Sequence, residues 1–225
     1  MKKYFGASAK LYIYGQDSID YAIGLDNLAK KYDLNLSYCA GFLELSEIAS
    51  KTSKINISAQ NVDIVIPGRG MGKILPEALK AAGCNRVCLN HVECPKTTEE
   101  IRTCIDLLRK QGIASCVCLS GEEEAIKIAN MHPDMICVEE ADHIASTTTS
   151  SDEYFVKMLN IIKNIDPNII VDMGGSIKSA DDVYHMYELG ADSTGATSGI
   201  MTATNRLEKT EELLQGLIRY LKEHN

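Results

Sequence analysis

The sequence predicts an α/β protein, a single closed (β/α)8 barrel around a parallel eight-stranded sheet. Eight short apolar runs rich in β-branched residues recur along the chain, and each is followed by a helical pattern. Strands buried on both faces and separated by single helices are typical of parallel pairing, since only a helical return brings the next strand alongside in the same direction. The 225 residues give about 28 residues per unit, close to the minimum for a βαβ repeat. Length and repeat together favour one barrel domain over residues 1–225.

The predicted strands are short, with four or five residues each. They are Tyr4–Ser8, Asn35–Cys39, Ile55–Ala59, Arg86–Leu89, Ser115–Leu119, Met135–Val138, Ile169–Asp172 and Asp192–Ala196. An open dinucleotide-binding sheet would carry G-x-G-x-x-G directly after its first strand, but the chain has Gly6-Ala-Ser-Ala-Lys10 there. A closed barrel is therefore the preferred architecture.

Capping residues and apolar stripes predict the helices. Three start signals have a capping side chain followed three positions later by an acidic residue. They are Thr97 with Glu100, Ser120 with Glu123, and Ser179 with Asp182. Four segments carry apolar residues at i, i+3, i+4 and i+7, as one face of a helix requires. These stripes begin at Leu75, Ile101, Phe155 and Leu214.

The charge balance limits the classes of partner. The chain has 23 Lys+Arg against 31 Asp+Glu, a net charge of −8, with no basic block. This argues against nucleic acid or an anionic membrane surface as a partner. The sequence also shows neither an apolar run of about 18 residues nor a signal-peptide pattern at its start, so we expect a soluble, untargeted protein.

Eight cysteines are too dilute for a disulfide scaffold in a chain of this length. Most lie within apolar runs, where a free cysteine behaves as a small hydrophobic residue. We therefore expect reduced thiols and a cytoplasmic location. A zinc site is the more specific alternative for these cysteines. The sequence has no C-x-x-C and no histidine near a cysteine pair at zinc spacing, so we predict no metal site.

Barrel enzymes carry their reacting residues at the carboxyl ends of the strands and in the loops just after them. In this chain those positions hold Lys10, Asn90-His91-Val92-Glu93, Glu139-Glu140, Gly174-Gly175-Ser176 and Thr197-Ser198-Gly199. Residues of these types suit a reaction that exchanges an aldose and a ketose. That reaction requires a base, a proton-bridging electrophile and positive charge near the enediolate oxygens, and it requires no organic cofactor or metal. The two glycine- and serine-containing segments can present backbone N–H groups to a phosphate.

Taken in order, these residues resemble the triosephosphate isomerase family, most closely its short archaeal form. The resemblance covers nearly the whole chain, and its most specific segment is Asn90-His91-Val92-Glu93. Further matching segments are Ser58–Asp63, Leu75–Ala78, Val138-Glu139, Gly174–Ile177 and Ser198-Gly199. The resemblance implies a TIM barrel that interconverts glyceraldehyde 3-phosphate and dihydroxyacetone phosphate, a step of glycolysis and gluconeogenesis.

The resemblance also implies a role for each site residue. Glu139 would be the base, His91 the neutral electrophile and Lys10 the cation beside the enediolate. Glu93 would be the carboxylate that pairs with Lys10. The residues implied in substrate binding are Ser8, Gly174, Gly175, Ser176, Thr197 and Ser198.

Two departures from the family pattern leave the substrate open. Ser8 stands where the family has Asn, and the lid segment Glu140–Thr147 lacks the family's Pro and its glycine-containing tip. Glu140 and Asp142 add negative charge to a loop that would close on a dianion, which opposes closure. The alternatives are therefore an isomerase of a related sugar phosphate, such as a tetrulose phosphate, or a catalytically inactive barrel that binds a phosphate ligand.

The segment Pro67-Gly-Arg-Gly-Met-Gly72-Lys73 resembles a nucleotide-binding loop but is one residue too short, and Ile74 stands where Ser or Thr would bind Mg²⁺. In the family the loop after strand three reaches into a partner subunit. The resemblance therefore implies a homodimer or homotetramer with Gly68–Lys73 at the contact.

Overall fold

A computed structural model describes residues 2–139, 151–175 and 177–224. Within them, eight parallel strands form a closed barrel in chain order, so the predicted fold class is confirmed. The strands are β1 Tyr4–Ser8, β2 Asn35–Ala40, β3 Asn56–Ala59, β4 Arg86–Leu89, β5 Ala114–Leu119, β6 Met135–Val138, β7 Ile170–Met173 and β8 Ser193–Ala196. The extent of the domain over residues 1–225 stays a prediction.

Nine helices in the described residues surround the barrel. They are α1 Gly15–Tyr32, α2 Leu45–Lys51, α3 Pro76–Ala81, α4 Thr98–Lys110, α5 Glu122–Ala129, α6 Asp152–Ile165, α7 Ala180–Glu188, α8 Ser198–Met201 and α9 Arg206–His224. The predicted stripe of α4 is buried throughout, at Ile101, Cys104, Ile105 and Leu108. None of the helices in these ranges is both long and apolar enough to cross a membrane.

Two of the three predicted helix starts are confirmed. Thr97 with Glu100 and Ser179 with Asp182 each form a reciprocal capping box. The prediction for Ser120 with Glu123 is wrong. Gly121, at φ 97°, precedes α5, and the backbone N–H of Ser120 donates to the carboxylate of Glu124 at 3.0 Å. Glycine adopts this positive φ without strain, so the chain turns at Gly121. The acidic residue that binds the backbone before α5 is therefore Glu124 rather than Glu123.

The pairing of β1 with β8 closes the barrel. Gly6 lies opposite Gly195 in this register. A Cβ on Gly195 would overlap the backbone carbonyl group of Gly6, so the two strands can approach only because residue 195 is glycine. Closure places the carboxyl ends of all eight strands around one rim.

The interior of the barrel is lined by small polar and sulfur-containing side chains. Cys39 of β2 lies 3.8 Å (Sγ–Sγ) from Cys88 of β4, across the intervening β3, so both thiols point inward. The alternate residues Val87 and Leu89 are buried on the opposite face, towards the helices. All eight cysteines are free, and Cys94 is exposed rather than packed. Part of the apolar core therefore lies between sheet and helices, while the barrel itself is unusually polar.

Candidate active site

Lys10 follows β1 in a conformation that its neighbours stabilise. Its backbone has φ 41°, in the left-handed region that non-glycine residues rarely adopt. The side-chain amide of Gln60, just after β3, donates to the carbonyl oxygen of Lys10 at 2.7 Å. The hydroxyl of Ser8 lies 3.4 Å from the Lys10 backbone nitrogen. These contacts support a backbone geometry that would otherwise be strained. Gln60 lies in the segment Ser58–Asp63 that matches the family, but the sequence alone gives it no role.

Lys10 and Glu93 form an ion pair across the rim. Lys10 Nζ lies 2.6 Å from Glu93 Oε1, although the two residues are 83 positions apart in the chain. The hydrogen bond from Lys10 holds the pKa of Glu93 below its usual range. The arrangement fixes the lysine side chain beside the imidazole of His91.

The hydrogen bond that the His91 ring accepts assigns its neutral tautomer. The backbone N–H of Glu93 donates to His91 Nδ1 at 3.1 Å, so Nδ1 must be unprotonated and the ring proton lies on Nε2. Burial lowers the pKa of His91, and the positive charge of Lys10 lowers it further. Both effects favour the neutral imidazole at pH 7, with an N–H directed away from Glu93.

Glu139 follows β6 directly and faces His91. Its Oε2 atom lies 3.8 Å from His91 Nε2. Burial raises the pKa of Glu139 to about 7, and the nearby carboxyl group of Asp172 adds to this effect. The site therefore pairs an unusually basic carboxylate with an imidazole that stays neutral, and pKa values displaced in this way are characteristic of functional sites.

Gly174, just after β7, leaves the space that Glu139 occupies. A Cβ at position 174 would lie 2.8 Å from Glu139 Oε1 and 3.1 Å from its Cγ. The backbone of Gly174 is not among those with positive φ, so the requirement for glycine here is steric. The side chain of the candidate base can keep its place only beside a glycine.

Asn90 organises the turn that carries His91. It adopts φ 59°, a left-handed conformation that asparagine tolerates. Its side-chain amide donates to the Cys118 carbonyl and to Glu124, each at 3.0 Å, and its Oδ1 accepts from the Lys96 backbone N–H at 3.0 Å. The sequence places Asn90 in a motif but does not predict these contacts. The link of Asn90 to Glu124 explains why Glu124 rather than Glu123 binds the backbone before α5.

The segments expected to bind phosphate lie on the same rim. Gly174 and Gly175 follow β7, and Gly175 has φ 121°. Thr197 precedes α8, which starts at Ser198. A Cβ on Gly199 would approach the Ile177 carbonyl oxygen to 2.7 Å, so the two segments are packed together. Ser176 and the lid segment Glu140–Thr147 lie outside the described residues.

Three potential metal donors also meet in the described part of the chain. The ligand atoms of Cys118, Cys137 and Glu139 all lie within 4.8 Å of one another. No local sequence motif predicts this group, because its residues come from two neighbouring strands rather than from one segment. The only sequence signal is the cysteine at the same register in β5 and β6.

A parallel barrel with a basic carboxylate, a neutral imidazole and a fixed lysine at one rim defines the class of isomerases that work by proton transfer. The profile of the triosephosphate isomerase family matches residues 3–213. The chain belongs to the triosephosphate isomerase family.

Several archaeal triosephosphate isomerases are similar to the chain over most of their length. The enzyme of Sulfurisphaera tokodaii is 27% identical over 204 residues, which cover 89% of this chain and 88% of the relative. That of Methanobacterium bryantii is 28% identical over 192 residues, 84% of each chain. That of Methanocaldococcus jannaschii is 25% identical over 210 residues, 92% of this chain and 94% of the relative. The resemblance to the archaeal form is thereby confirmed.

The contact between Gly174 and Glu139 can be tested with Gly174→Ala. The added methyl group should displace the Glu139 carboxylate, and a shift of about 1 Å in a reacting group can lower kcat by about 100-fold. Steady-state kinetics measure the effect, and circular dichroism checks that the barrel is intact. A folded variant with the turnover of the parent protein would contradict the proposed steric requirement.

Proposed function

We propose that this member of the family interconverts glyceraldehyde 3-phosphate and dihydroxyacetone phosphate through an enediolate. The observation that carries the proposal is the 3.8 Å approach of Glu139 to the imidazole of His91. One group is a carboxylate made more basic by burial, and the other is a histidine made less basic by burial. Their opposite shifts suit a base and a neutral proton donor acting on the same substrate.

Glu139 is the proposed base. It removes a proton from the carbon beside the carbonyl group and returns it to the neighbouring carbon. A pKa of about 7 favours this role, because a carboxylate of ordinary acidity is a weak acceptor for a carbon-bound proton, and general bases act best with a pKa near the working pH.

His91 and Lys10 are proposed to stabilise the negative charge that forms on the oxygens. His91 Nε2–H donates to the carbonyl oxygen and then passes the proton between the two oxygens. Lys10 Nζ supplies fixed positive charge beside them. Glu93 is proposed as a positioning residue, since it binds Lys10 at 2.6 Å and donates its backbone N–H to His91.

The phosphate group is proposed to bind where the loops after β7 and β8 meet. Gly175, Thr197 and Ser198 offer backbone N–H groups there, and barrels commonly hold phosphate at this position. Gly174 lines the same loop, but its N–H donates to the Val138 carbonyl at 3.2 Å. Ser176 belongs to the same proposal from sequence alone. Ser8 is the proposed contact from the first strand, and its hydroxyl replaces the longer amide of the family.

The relatives bear on which sugar phosphate is the substrate. The relatives named above carry the name triosephosphate isomerase, which supports the triose phosphates. The alternatives from the sequence are a tetrulose phosphate as substrate, or binding of a phosphate ligand without turnover. No contact in the described residues favours either alternative.

Turnover of the two triose phosphates tests the function, and Glu139→Asp tests the base. The aspartate side chain is one methylene shorter, so its carboxylate lies farther from the substrate. We expect kcat to fall by about 100-fold or more while the fold is kept. Glu122→Asp is the matched control, because Glu122 is a surface carboxylate paired with Lys157, and its kcat should equal that of the parent. Four-carbon ketose phosphates serve as competing substrates.

Unchanged turnover in Glu139→Asp would remove Glu139 from the role of base. A kcat/KM higher for a four-carbon substrate than for glyceraldehyde 3-phosphate would identify a tetrulose phosphate, rather than a triose phosphate, as the substrate. Binding of a phosphate ligand without turnover of any of these sugars would support the inactive barrel.

We also propose a cytoplasmic location. Eight free thiols suit a reducing compartment, because disulfides form and persist in oxidising ones.

We propose further that the chain forms a homodimer or homotetramer through the loop Gly68–Lys73. Large apolar side chains are exposed on the loops after the first three strands, including Leu11, Leu43, Ile66 and Met71, and the Met71 side chain is fully exposed. Large apolar side chains exposed together on neighbouring loops suit an interaction surface. The loop is anchored where Asp63 accepts from the Ile74 backbone N–H at 2.7 Å.

Met71→Lys should weaken this association. A charged group at an interface loses the apolar contact and is costly to bury, so we expect the dimer dissociation constant to rise by about tenfold or more. Light scattering over a concentration series gives the mass. Ile126→Lys, on the exposed face of α5, is the control and should leave the mass unchanged. A parent chain that is monomeric at every concentration would contradict the proposal.

A further inference from the structure

Two thiols lie next to the carboxylate of the proposed base. The Sγ atoms of Cys118 and Cys137 and a carboxylate oxygen of Glu139 all lie within 4.8 Å of one another. We call these three residues the thiol–carboxylate cluster. Cys137 Sγ also donates to Asp172 Oδ2 at 3.1 Å, so a second carboxylate borders the cluster.

The strand register accounts for this group. Cys118 pairs with Cys137 between β5 and β6, and Cys137 pairs with Asp172 between β6 and β7. Glu139 is two residues beyond Cys137, so it projects to the same side of the sheet, one step nearer the rim. Three residues of adjacent strands and Glu139, just after β6, thus direct acidic groups into one part of the barrel.

We propose that the thiol–carboxylate cluster is a binding site for a thiophilic divalent cation such as Zn²⁺ or Cd²⁺. Zinc binds thiolate sulfur at about 2.3 Å and carboxylate oxygen at about 2.0–2.2 Å, so ligand atoms around one tetrahedral ion lie about 3.6–3.8 Å apart. The donor atoms of the cluster all lie within 4.8 Å of one another. Side-chain movements of about 1 Å therefore bring them to the spacing that zinc requires. Each thiol releases its proton to solvent as its sulfur–metal bond forms.

The donor set selects the kind of ion. Two sulfurs with one carboxylate favour zinc and related soft cations, whereas magnesium and calcium take oxygen ligands. Three protein ligands leave one position for water or for the neighbouring carboxylate of Asp172. The ion can enter from the rim, because the side chain of Glu139 is 25% exposed.

Binding of the cation stops isomerisation. A Glu139 carboxylate bound to a metal ion cannot accept a proton from the substrate. This consequence rests on the proposed function, whereas occupancy of the site does not. The thiol–carboxylate cluster is therefore an inhibitory site at the base.

Cadmium titration of the chelator-treated full-length protein tests occupancy without reference to activity. CdCl2 should produce thiolate-to-metal charge-transfer absorption in the near ultraviolet that saturates at one Cd²⁺ per chain, and ZnCl2 should displace it. Cys118→Ser and Cys137→Ser should each weaken binding by at least about tenfold, since even outer partners of a metal contribute that much. Glu139→Gln keeps both thiols and should retain the absorption with weaker affinity.

Cys39→Ser and Cys94→Ser are the matched controls. Cys39 is an inward-facing thiol of β2 outside the cluster, and Cys94 is an exposed thiol. Both variants should bind Cd²⁺ as the parent does. Equal binding in the Cys118 and Cys137 variants, or loss of binding only in Cys39→Ser or Cys94→Ser, would overturn the site. Unchanged affinity in Glu139→Gln would overturn the assignment of Glu139 as a ligand.

The ratio of turnover with and without ZnCl2 tests inhibition within each variant, so any change in basal activity cancels. One equivalent of Zn²⁺ should abolish most turnover of the parent and EDTA should restore it, while Cys118→Ser should resist the same dose. Inhibition equal in the parent and Cys118→Ser would overturn the inhibitory role. A metal-free parent without isomerase activity would refute the proposed function, and the absorption titration would still decide the metal site.

Discussion

The pairing of β1 with β8 is the contact on which the rest of the molecule depends. The two strands come from opposite ends of the chain, and their approach requires the absence of a side chain at Gly195. An open parallel sheet would leave its first and last strands at separate edges. Closure instead brings Lys10, His91 and Glu139 to one rim from three strands. There Lys10 forms its ion pair, and the Glu139 carboxylate lies 3.8 Å from the imidazole of His91. The site is thus a product of barrel topology.

Burial then determines what these groups can do. In water a glutamate is a weak base and a histidine is close to half protonated near pH 6.5. Removing both from water disfavours their charged forms, so the carboxylate becomes more basic and the imidazole stays neutral. The backbone N–H of Glu93 adds direction, because it leaves only Nε2 of His91 to carry the proton. One physical effect, desolvation, prepares both partners for opposite roles.

The same interior explains the thiol–carboxylate cluster. Barrel interiors are usually filled by bulky branched side chains, but here inward positions carry cysteines and Asp172, and the large apolar residues face the helices. A polar interior keeps acidic groups close together below the base. The feature that allows Glu139 to gain basicity from Asp172 therefore also places soft metal ligands next to it.

Much of the fold could be predicted from the sequence, because the periodicity of strands and helices is local. Each predicted strand agrees with the structure to within one residue at either end. The helix start predicted at Ser120 is wrong because the true start of α5 depends on the backbone of Gly121 and on the contact of Glu124 with Asn90. A local sequence pattern contains neither. The residues at the strand ends could be predicted as well. The tautomer of His91, the steric role of Gly174 and the meeting of Cys118 with Cys137 required distances between strands.

Burial makes Glu139 a base, and the acidity of its carboxyl group can be measured without substrate. A ¹³C NMR titration of side-chain carboxyl groups in chelator-treated protein, with the Glu139 signal assigned by its absence in Glu139→Gln, gives the pKa directly. The buried carboxyl group should titrate with a midpoint of about 7. A midpoint near the ordinary glutamate value of about 4.3 would contradict this effect of burial.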